Sequence, residues 1–130
     1  MVEIPGSQTV LQVLRIISGS GSTWRNRYVT LRFHGASQGW ILVYPLSGNT
    51  TPYFDFMYGA DHPPEEVFSG LLKAHPGSLI LDWSPGRSAC MEVPVADVET
   101  LAEVMLAIAK GAWGESNPQV EAFYEEMGKA

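Results

Sequence analysis

Residues 28–58 have the sequence YVTLRFHGASQGWILVYPLSGNTTPYFDFMY, which contains three predicted strands. These strands are Tyr28–Phe33, Trp40–Tyr44 and Tyr53–Tyr58. In the first strand apolar and polar residues alternate, which is typical of a strand with one buried face. The second strand is apolar on both faces, and short loops join all three. The stretch therefore predicts an antiparallel meander.

The sequence after the meander predicts a helix and then two more strands. Residues 61–75 begin with an acidic residue and two prolines, which suit the first turn of a helix. The apolar side chains that this helix would bury are Val67, Phe68, Leu71 and Leu72. The two strands that follow are Leu79–Trp83 and Ala89–Val93.

Two further helices are predicted in the C-terminal part of the chain. Residues 98–110 repeat apolar side chains at steps of three and four, with Asp97 as the N-cap and Gly111 placed for a C-terminal cap. Residues 117–128 begin with Asn117 and Pro118, which suit a cap and a first helical turn. The apolar stripe of this last helix would consist of Val120, Phe123, Tyr124 and Met127.

Residues 8–17, QTVLQVLRII, fit two structures. As a helix capped by Ser7 or Gly6, the segment would place Val10, Leu11, Leu14 and Ile17 on one face. As a strand, it would use its β-branched residues and form a hairpin through residues 18–22. The spacing favours the helix, and the strand stays an alternative.

Taken together, these elements predict a single α+β domain over residues 1–130. We expect a five-stranded, mostly antiparallel sheet with helices packed on one face. The predicted element order is α-β-β-β-α-β-β-α-α, with a short terminal helix at residues 117–128.

Composition limits the classes of function. The chain has 130 residues, a formal net charge of −6 and one cysteine, Cys90. An acidic chain without a lysine cluster is a poor candidate for binding nucleic acid. No apolar run approaches the roughly 20 residues of a membrane span, and no secretory signal is visible. A lone cysteine suits a reducing compartment, so the expected location is the cytoplasm.

The sequence gives little sign of catalysis. The three histidines are far apart and Cys90 lies within a predicted strand, so we predict no catalytic residue, no metal site and no cofactor. Asp55 and Asp82 also fall within strands, where a buried carboxylate needs a partner. Each could pair with one of three arginines across the sheet. A structural ion pair is the favoured interpretation, and the alternative is an Asp–Arg cluster that would be the basis of a small enzyme or ligand-binding domain. The arginines are Arg25, Arg27 and Arg32.

Aromatic residues are concentrated in the strands. If helices cover one face only, some of these side chains lie on the open face and offer rigid anchors for a protein partner. The predicted partner-binding residues there are Tyr28, Trp40, Tyr44, Tyr53 and Met57. Two alternatives remain, a single aromatic core and a homodimer that covers the face.

With residues 8–17 helical, the order is helix, three strands, helix, two strands, helix. In a small acidic chain with a long amphipathic helix at residues 98–110, this order resembles the type III secretion chaperones. The resemblance rests on element order and composition over most of the chain. It implies a noncatalytic homodimer that holds an extended segment of a secreted effector.

A toxin-neutralising immunity protein is the alternative within the binding class. Such a protein would present carboxylates to a basic toxin surface. The predicted group joins Glu99 and Glu103 on the long helix to three glutamates of the terminal helix. Those three are Glu121, Glu125 and Glu126.

Overall fold

In the computed structural model, residues 1–6, 8–19, 23–35, 37–46, 51–94 and 97–127 are described. Their strands are β1 (Val2–Glu3), β2 (Arg27–Phe33), β3 (Trp40–Val43), β4 (Tyr53–Met57), β5 (Leu79–Ser84), β6 (Ser88–Glu92) and β7 (Val120–Glu126). Their helices are α1 (Val10–Ile17), α2 (Pro64–Val67), α3 (Ser69–Ala74) and α4 (Val98–Trp113). The seven strands form one antiparallel sheet in the order β1-β7-β2-β3-β4-β6-β5.

The prediction of a five-stranded sheet ending in a helix is wrong. Residues predicted as the terminal helix 117–128 form strand β7, which pairs with β2 over seven residues, from Arg27↔Glu126 to Phe33↔Val120. The other side of β7 pairs with β1, a strand of only two residues that was not predicted. Pairing with β2 decides the outcome because it places alternate residues of β7, including Val120 and Ala122, in the core.

Residues 8–17, for which a helix and a strand were both considered, contain helix α1. Thr9 is the N-cap of α1: its hydroxyl accepts from the backbone of Gln12, whose side chain accepts from the backbone of Thr9. The N-cap is therefore Thr9 and not the predicted Gly6. Ser7, the other predicted cap, lies outside the described residues. The buried side chains of α1 are Val10, Val13, Leu14 and Ile17.

The other helices differ from prediction at their ends. The helix expected at residues 61–75 is divided at Phe68 into α2 and α3, and Val67 is exposed rather than buried. Phe68 is buried against the rings of Phe56 and Tyr58. Helix α4 continues past Gly111 and ends at Gly114, whose φ of +69° suits the left-handed C-cap conformation.

One hydrophobic core joins helices and sheet. It contains the buried side of α1, the buried side of α4 and alternate residues from β2, β3, β4, β6 and β7. The helices that supply this core therefore lie on one face of the sheet. No helix among the described residues is long and apolar enough to cross a membrane.

Candidate functional site

We use the name open face for the side of the sheet opposite α1 and α4. Its residues alternate with the core residues along the strands, and none of them is buried. The registers place the following side chains on it: Glu3, Tyr28, Thr30, Arg32, Trp40, Leu42, Tyr53, Asp55, Met57, Leu79, Asp82, Ser84, Ser88, Cys90, Glu92, Glu121, Phe123 and Glu125. Tyr44, which directly follows β3, shares this side through its contacts with Tyr53 and Asp55.

Three tyrosines form a row across the open face. Extending the registers by one residue places Tyr28, Tyr44 and Tyr53 beside one another on β2, at the end of β3 and on β4. The rings of Tyr44 and Tyr53 are stacked, with centroids 4.7 Å apart and an interplanar angle of 20°. We call these three residues the tyrosine row; all are partly exposed.

Carboxylates fix the position of two rings in the tyrosine row. The Tyr44 hydroxyl donates to Asp55 Oδ2 at 2.7 Å, and the Tyr28 hydroxyl donates to Glu125 Oε2 at 2.5 Å. Burial, followed by this hydrogen bond to Asp55, raises the pKa of Tyr44. The bond to Glu125 raises the pKa of Tyr28. Both hydroxyls therefore stay protonated donors at neutral pH, and the rings present fixed surfaces.

A small recess of ≈ 130 Å³ lies beside the tyrosine row and is lined in part by Asp55, Asp82 and Cys90. Burial, together with hydrogen bonding to Asp55 and the charges of Asp55, Asp82 and Glu92, raises the pKa of the Cys90 thiol to about 12. A thiol with this pKa is almost entirely protonated at neutral pH. Because the thiolate is the nucleophile, Cys90 is poorly suited to nucleophilic chemistry.

A larger, open groove of ≈ 790 Å³ lies at the other corner of the open face. Arg32, His34, Trp40 and Glu121 line it, together with parts of the loop after β2. His34 Nε2 lies 3.6 Å from Glu121 Oε1, and the Arg32 guanidinium lies 5.4 Å from the centre of the Phe123 ring. Trp40, which lines the groove, lies on β3 between the strands that carry Tyr28 and Tyr53. The groove is therefore continuous with the open face.

The structure brings together five of the seven residues predicted to bind a partner. The five on the open face are Tyr28, Trp40, Tyr44, Tyr53 and Met57. The other two, Glu99 and Glu103, are exposed on α4, which lies on the opposite side of the sheet. Phe123 was not predicted to lie on this face, because its segment was assigned to a helix. Leu42 was also missed, although its place in an alternating strand was a usable signal.

The predicted pairing of aspartates with arginines is wrong. Arg27 bonds to Glu126 at 2.7 Å and Arg32 lies over Phe123, while Asp55 accepts from Tyr44. Asp82 accepts from the backbone of Trp83. Within the described residues, neither aspartate lies within ion-pair distance of an arginine. The proposed basis for an Asp–Arg catalytic cluster is therefore lacking.

The glutamates predicted to form one acidic group are also dispersed. Glu99 pairs with Arg15 at 3.3 Å on the helix side, and Glu126 pairs with Arg27. Glu121 and Glu125 lie on the open face because β7 is a strand. An acidic surface therefore exists on the open face, but it is not the one that the sequence predicted.

In the part of the chain that the structure describes, no group of three or more histidine, cysteine, aspartate or glutamate side chains is arranged to hold a metal ion. Comparison with protein-family models, with curated proteins and with solved structures found no match to this chain. The geometry of the open face is thus the basis for a functional proposal.

Proposed function

We propose that this chain is a noncatalytic protein-binding domain that holds an extended segment of another protein on its open face. The tyrosine row is the observation that carries the proposal. Tyrosines combine a large apolar surface with few rotatable bonds, so ordering them on binding costs little, and they are enriched at protein interfaces. Here hydrogen bonds to Asp55 and Glu125 already order two of the three rings.

The shape of the face supports a protein partner. The recess beside Cys90 has ≈ 130 Å³, well below the roughly 300–1,000 Å³ of small-molecule pockets. The larger groove, of ≈ 790 Å³, has the volume of a small-molecule pocket but is open rather than enclosed and is continuous with the aromatic side chains of the open face. This shape suits an extended chain better than an enclosed metabolite. Trp40 and Met57, near the groove, add two side chains of types enriched at protein interfaces.

The chemistry of the face supports a role without catalysis or cofactor. The pKa of the Cys90 thiol is raised to about 12. The carboxylate of Asp55, which lies beside this thiol, accepts a hydrogen bond from the hydroxyl of Tyr44. An acid–base or nucleophilic site needs a group poised near neutral pH and a second group to orient it. The partly exposed Cys90, as a free thiol, favours a reducing compartment such as the cytoplasm.

Two roles fit this proposal, and the identity of the partner separates them. A secretion-chaperone role, which the resemblance implies, predicts a secreted effector as the partner. The alternative is an immunity protein, with a toxin as the partner. Under that alternative, Glu99 and Glu103 on α4 would offer a second acidic surface, on the other side of the sheet.

We also propose a homodimer, through a surface that the sequence did not indicate. The apolar residues of β3 and α4 are mostly used in the core of the chain itself. Strand β5, in contrast, is an edge strand, and its Leu79 and Leu81 are each 47% exposed. An exposed apolar edge is a surface for strand pairing. Light scattering at tens of micromolar should give twice the chain mass of 14.2 kDa, and Leu81→Lys should restore the monomer.

Site-specific photo-cross-linking tests the protein-binding role. Benzoylphenylalanine replaces Tyr53 on the open face, and in a matched control it replaces Lys110, which is exposed on α4. Both proteins are produced in the source organism, irradiated, and their cross-linked peptides are sequenced by mass spectrometry. The proposal predicts that position 53 links repeatedly to one segment of one other protein and that position 110 does not.

Two outcomes would overturn the proposal. Cross-links from position 53 to the open face of a second copy would show that the face is a homodimer interface. Cross-links from neither position, in a protein whose melting temperature is unchanged, would show that the face holds no partner.

A further inference from the structure

The charges of the open face are strongly unbalanced. Among the described residues it carries one arginine, Arg32, and six carboxylates. The carboxylates are those of Glu3, Asp55, Asp82, Glu92, Glu121 and Glu125. Arg32 on β2 is paired with Glu121 on β7, and its guanidinium lies over the ring of Phe123 on the same strand β7. In the half of the face formed by β4, β6 and β5, the registers place carboxylates and no lysine or arginine of the described residues.

Three carboxylates define this acidic half. Asp55, Asp82 and Glu92 lie on neighbouring strands, since Cys90 is paired with both aspartates and Tyr53 is paired with Glu92. None of the three lies within ion-pair distance of a cation in the described part of the chain. The charges of all three raise the pKa of the Cys90 thiol, which lies among them and lines the recess together with Asp55 and Asp82.

The acidic half adjoins the stacked rings of Tyr44 and Tyr53. An aromatic face attracts a cation positioned within about 6 Å of its centre, and an arginine side chain also stacks on such rings. Carboxylates flank this pair, with Asp55 bonded to Tyr44 and Glu92 beside Tyr53 across the strands. Aromatic rings flanked by carboxylates that have no ion-pair partner are complementary to a guanidinium or an ammonium group, and they repel phosphate and carboxylate ligands.

We infer that the partner segment is cationic, and that an arginine or lysine side chain of it lies over the Tyr44–Tyr53 pair between Asp55 and Glu92. This inference rests on the proposed function and specifies the chemistry of its partner. The recess lined by Asp55, Asp82 and Cys90 has ≈ 130 Å³, which is the scale of one side chain. A second basic side chain of the segment therefore fits beside the first, toward β5.

Synthetic peptides test this chemistry directly. Three capped peptides of about ten residues, which span roughly 33 Å when extended, share alternating valine and serine positions. The remaining positions hold arginine in the first peptide, glutamine in the second and glutamate in the third. Each peptide is titrated into the full-length protein, and the backbone amide signals are followed by nuclear magnetic resonance. Spermine serves as a probe for attraction of any cation.

We expect the arginine peptide to shift the amide signals of Tyr53, Asp55 and Cys90. It should bind at least about tenfold more tightly than the glutamine peptide at low ionic strength, with the difference reduced by salt. The variant Glu92→Gln should weaken binding of the arginine peptide by about fivefold, as expected for one partly exposed ion pair. Glu65→Gln, which removes an exposed carboxylate on α2, is the matched control and should leave the affinity unchanged.

The possible failures are distinguishable. If the glutamine peptide shifts the same signals with the same affinity, the inference of a cationic segment is wrong while the protein-binding role stands. If spermine shifts the same signals as strongly as the arginine peptide, the face attracts cations in general and the inference of a peptide is overturned. Failure of the protein-binding role itself is read separately, from the absence of cross-links at position 53.

Discussion

The hydroxyl of Tyr44 donates a 2.7 Å hydrogen bond to the carboxylate of Asp55 on the neighbouring strand β4. This bond holds the Tyr44 ring against that of Tyr53 and leaves the carboxylate facing Cys90. Asp55 thus connects the tyrosine row to the acidic half of the open face. Several properties of the face depend on this one side chain.

The first prediction concerns the reactivity of the Cys90 thiol. Because burial and the nearby carboxylates raise its pKa to about 12, the thiolate fraction at pH 8 is very small. We expect alkylation by iodoacetamide to be at least about tenfold slower than that of a free cysteine. Asp55→Asn removes the nearest charge and should accelerate alkylation several-fold.

The control for this prediction is Glu66→Gln, which removes an exposed carboxylate on α2, away from the open face. It should leave the alkylation rate unchanged. Alkylation of the wild-type thiol at the rate of a free cysteine would contradict the described environment of Cys90.

The second prediction concerns stability at alkaline pH. The pKa values of Cys90, Tyr28 and Tyr44 are all raised in the folded chain, so the unfolded chain releases these protons at lower pH. The stabilisation from the protonated groups is complete below their ordinary values of 9.0 and 10.0 and is lost as pH rises toward the folded values. We expect the melting temperature to fall above about pH 9.

Two variants assign this loss to residues. Cys90→Ala and Tyr44→Phe should each reduce the fall in melting temperature between pH 8 and pH 11. Tyr53→Phe removes a hydroxyl without a described hydrogen-bond partner and is the control. An equal slope in the wild type and in the double variant Cys90→Ala/Tyr44→Phe would contradict the prediction.

The third prediction tests whether residues 120–126 form a strand. Ala122 is fully buried in β7, so Ala122→Asp places an unpaired charge in the core and should cost more than about 3 kcal/mol of unfolding free energy. Glu121→Gln changes the neighbouring open-face residue and should cost less than about 0.5 kcal/mol. Chemical denaturation measures both. In a terminal helix Ala122 would lie off the apolar stripe, so a neutral Ala122→Asp would contradict the strand.

The fourth prediction concerns the contact that joins α4 to the start of β3. A Cβ atom at Gly39 would lie 2.2 Å from the Trp113 ring, whose Nε1–H donates to the carbonyl of Met57 at 2.5 Å. Gly39→Ala must therefore displace this ring and should cost about 1–3 kcal/mol. Gly59→Ala is the control, since a Cβ there meets no neighbouring atom. Equal denaturation midpoints for the two variants would contradict this packing.

The central part of the fold could be predicted from local patterns. Alternation in Tyr28–Phe33 and the apolar run at Trp40–Tyr44 identified strands. The alternation also placed Tyr28 on the side away from Val29, Leu31 and Phe33, whereas the apolar run did not distinguish the two sides of its strand. The long helix followed from its apolar spacing, although its end moved from Gly111 to Gly114. These elements were predictable because the spacing of apolar residues within each one indicates a strand or a helix without information from the rest of the chain.

The terminal strand could not be predicted in this way. Val120, Phe123 and Tyr124 have helical spacing, while Val120, Ala122 and Tyr124 have strand spacing, so the local pattern is ambiguous. Asn117 resembles a helix cap, but its side chain accepts from the backbone of Gln119 in a turn. Pairing with β2, nearly a hundred residues earlier in the chain, decides the structure, and a single sequence does not show such pairing.

The candidate site was predicted in part for the same reason. Its residues on β2, β3 and β4 came from the meander, whereas Phe123 and the acidic contribution of Glu121 and Glu125 depend on the position of β7. The pairing of Asp55 with Tyr44 rather than with an arginine depends on the order of strands. The sequence therefore predicted aromatic anchors but not the charge of the face around them.

The affinity of the cross-linked partner segment for open-face variants tests the central claim most directly. The segment is synthesised, and its Kd is measured by calorimetry for the wild type, for Tyr28→Ala/Tyr53→Ala and for Ile16→Ala. The last variant truncates an exposed apolar side chain on α1 and controls for loss of apolar surface. If the open face binds the partner, the tyrosine variant loses at least about tenfold in affinity, as expected for aromatic anchors, while Ile16→Ala is unchanged. An unchanged Kd in a folded Tyr28→Ala/Tyr53→Ala variant would contradict the claim.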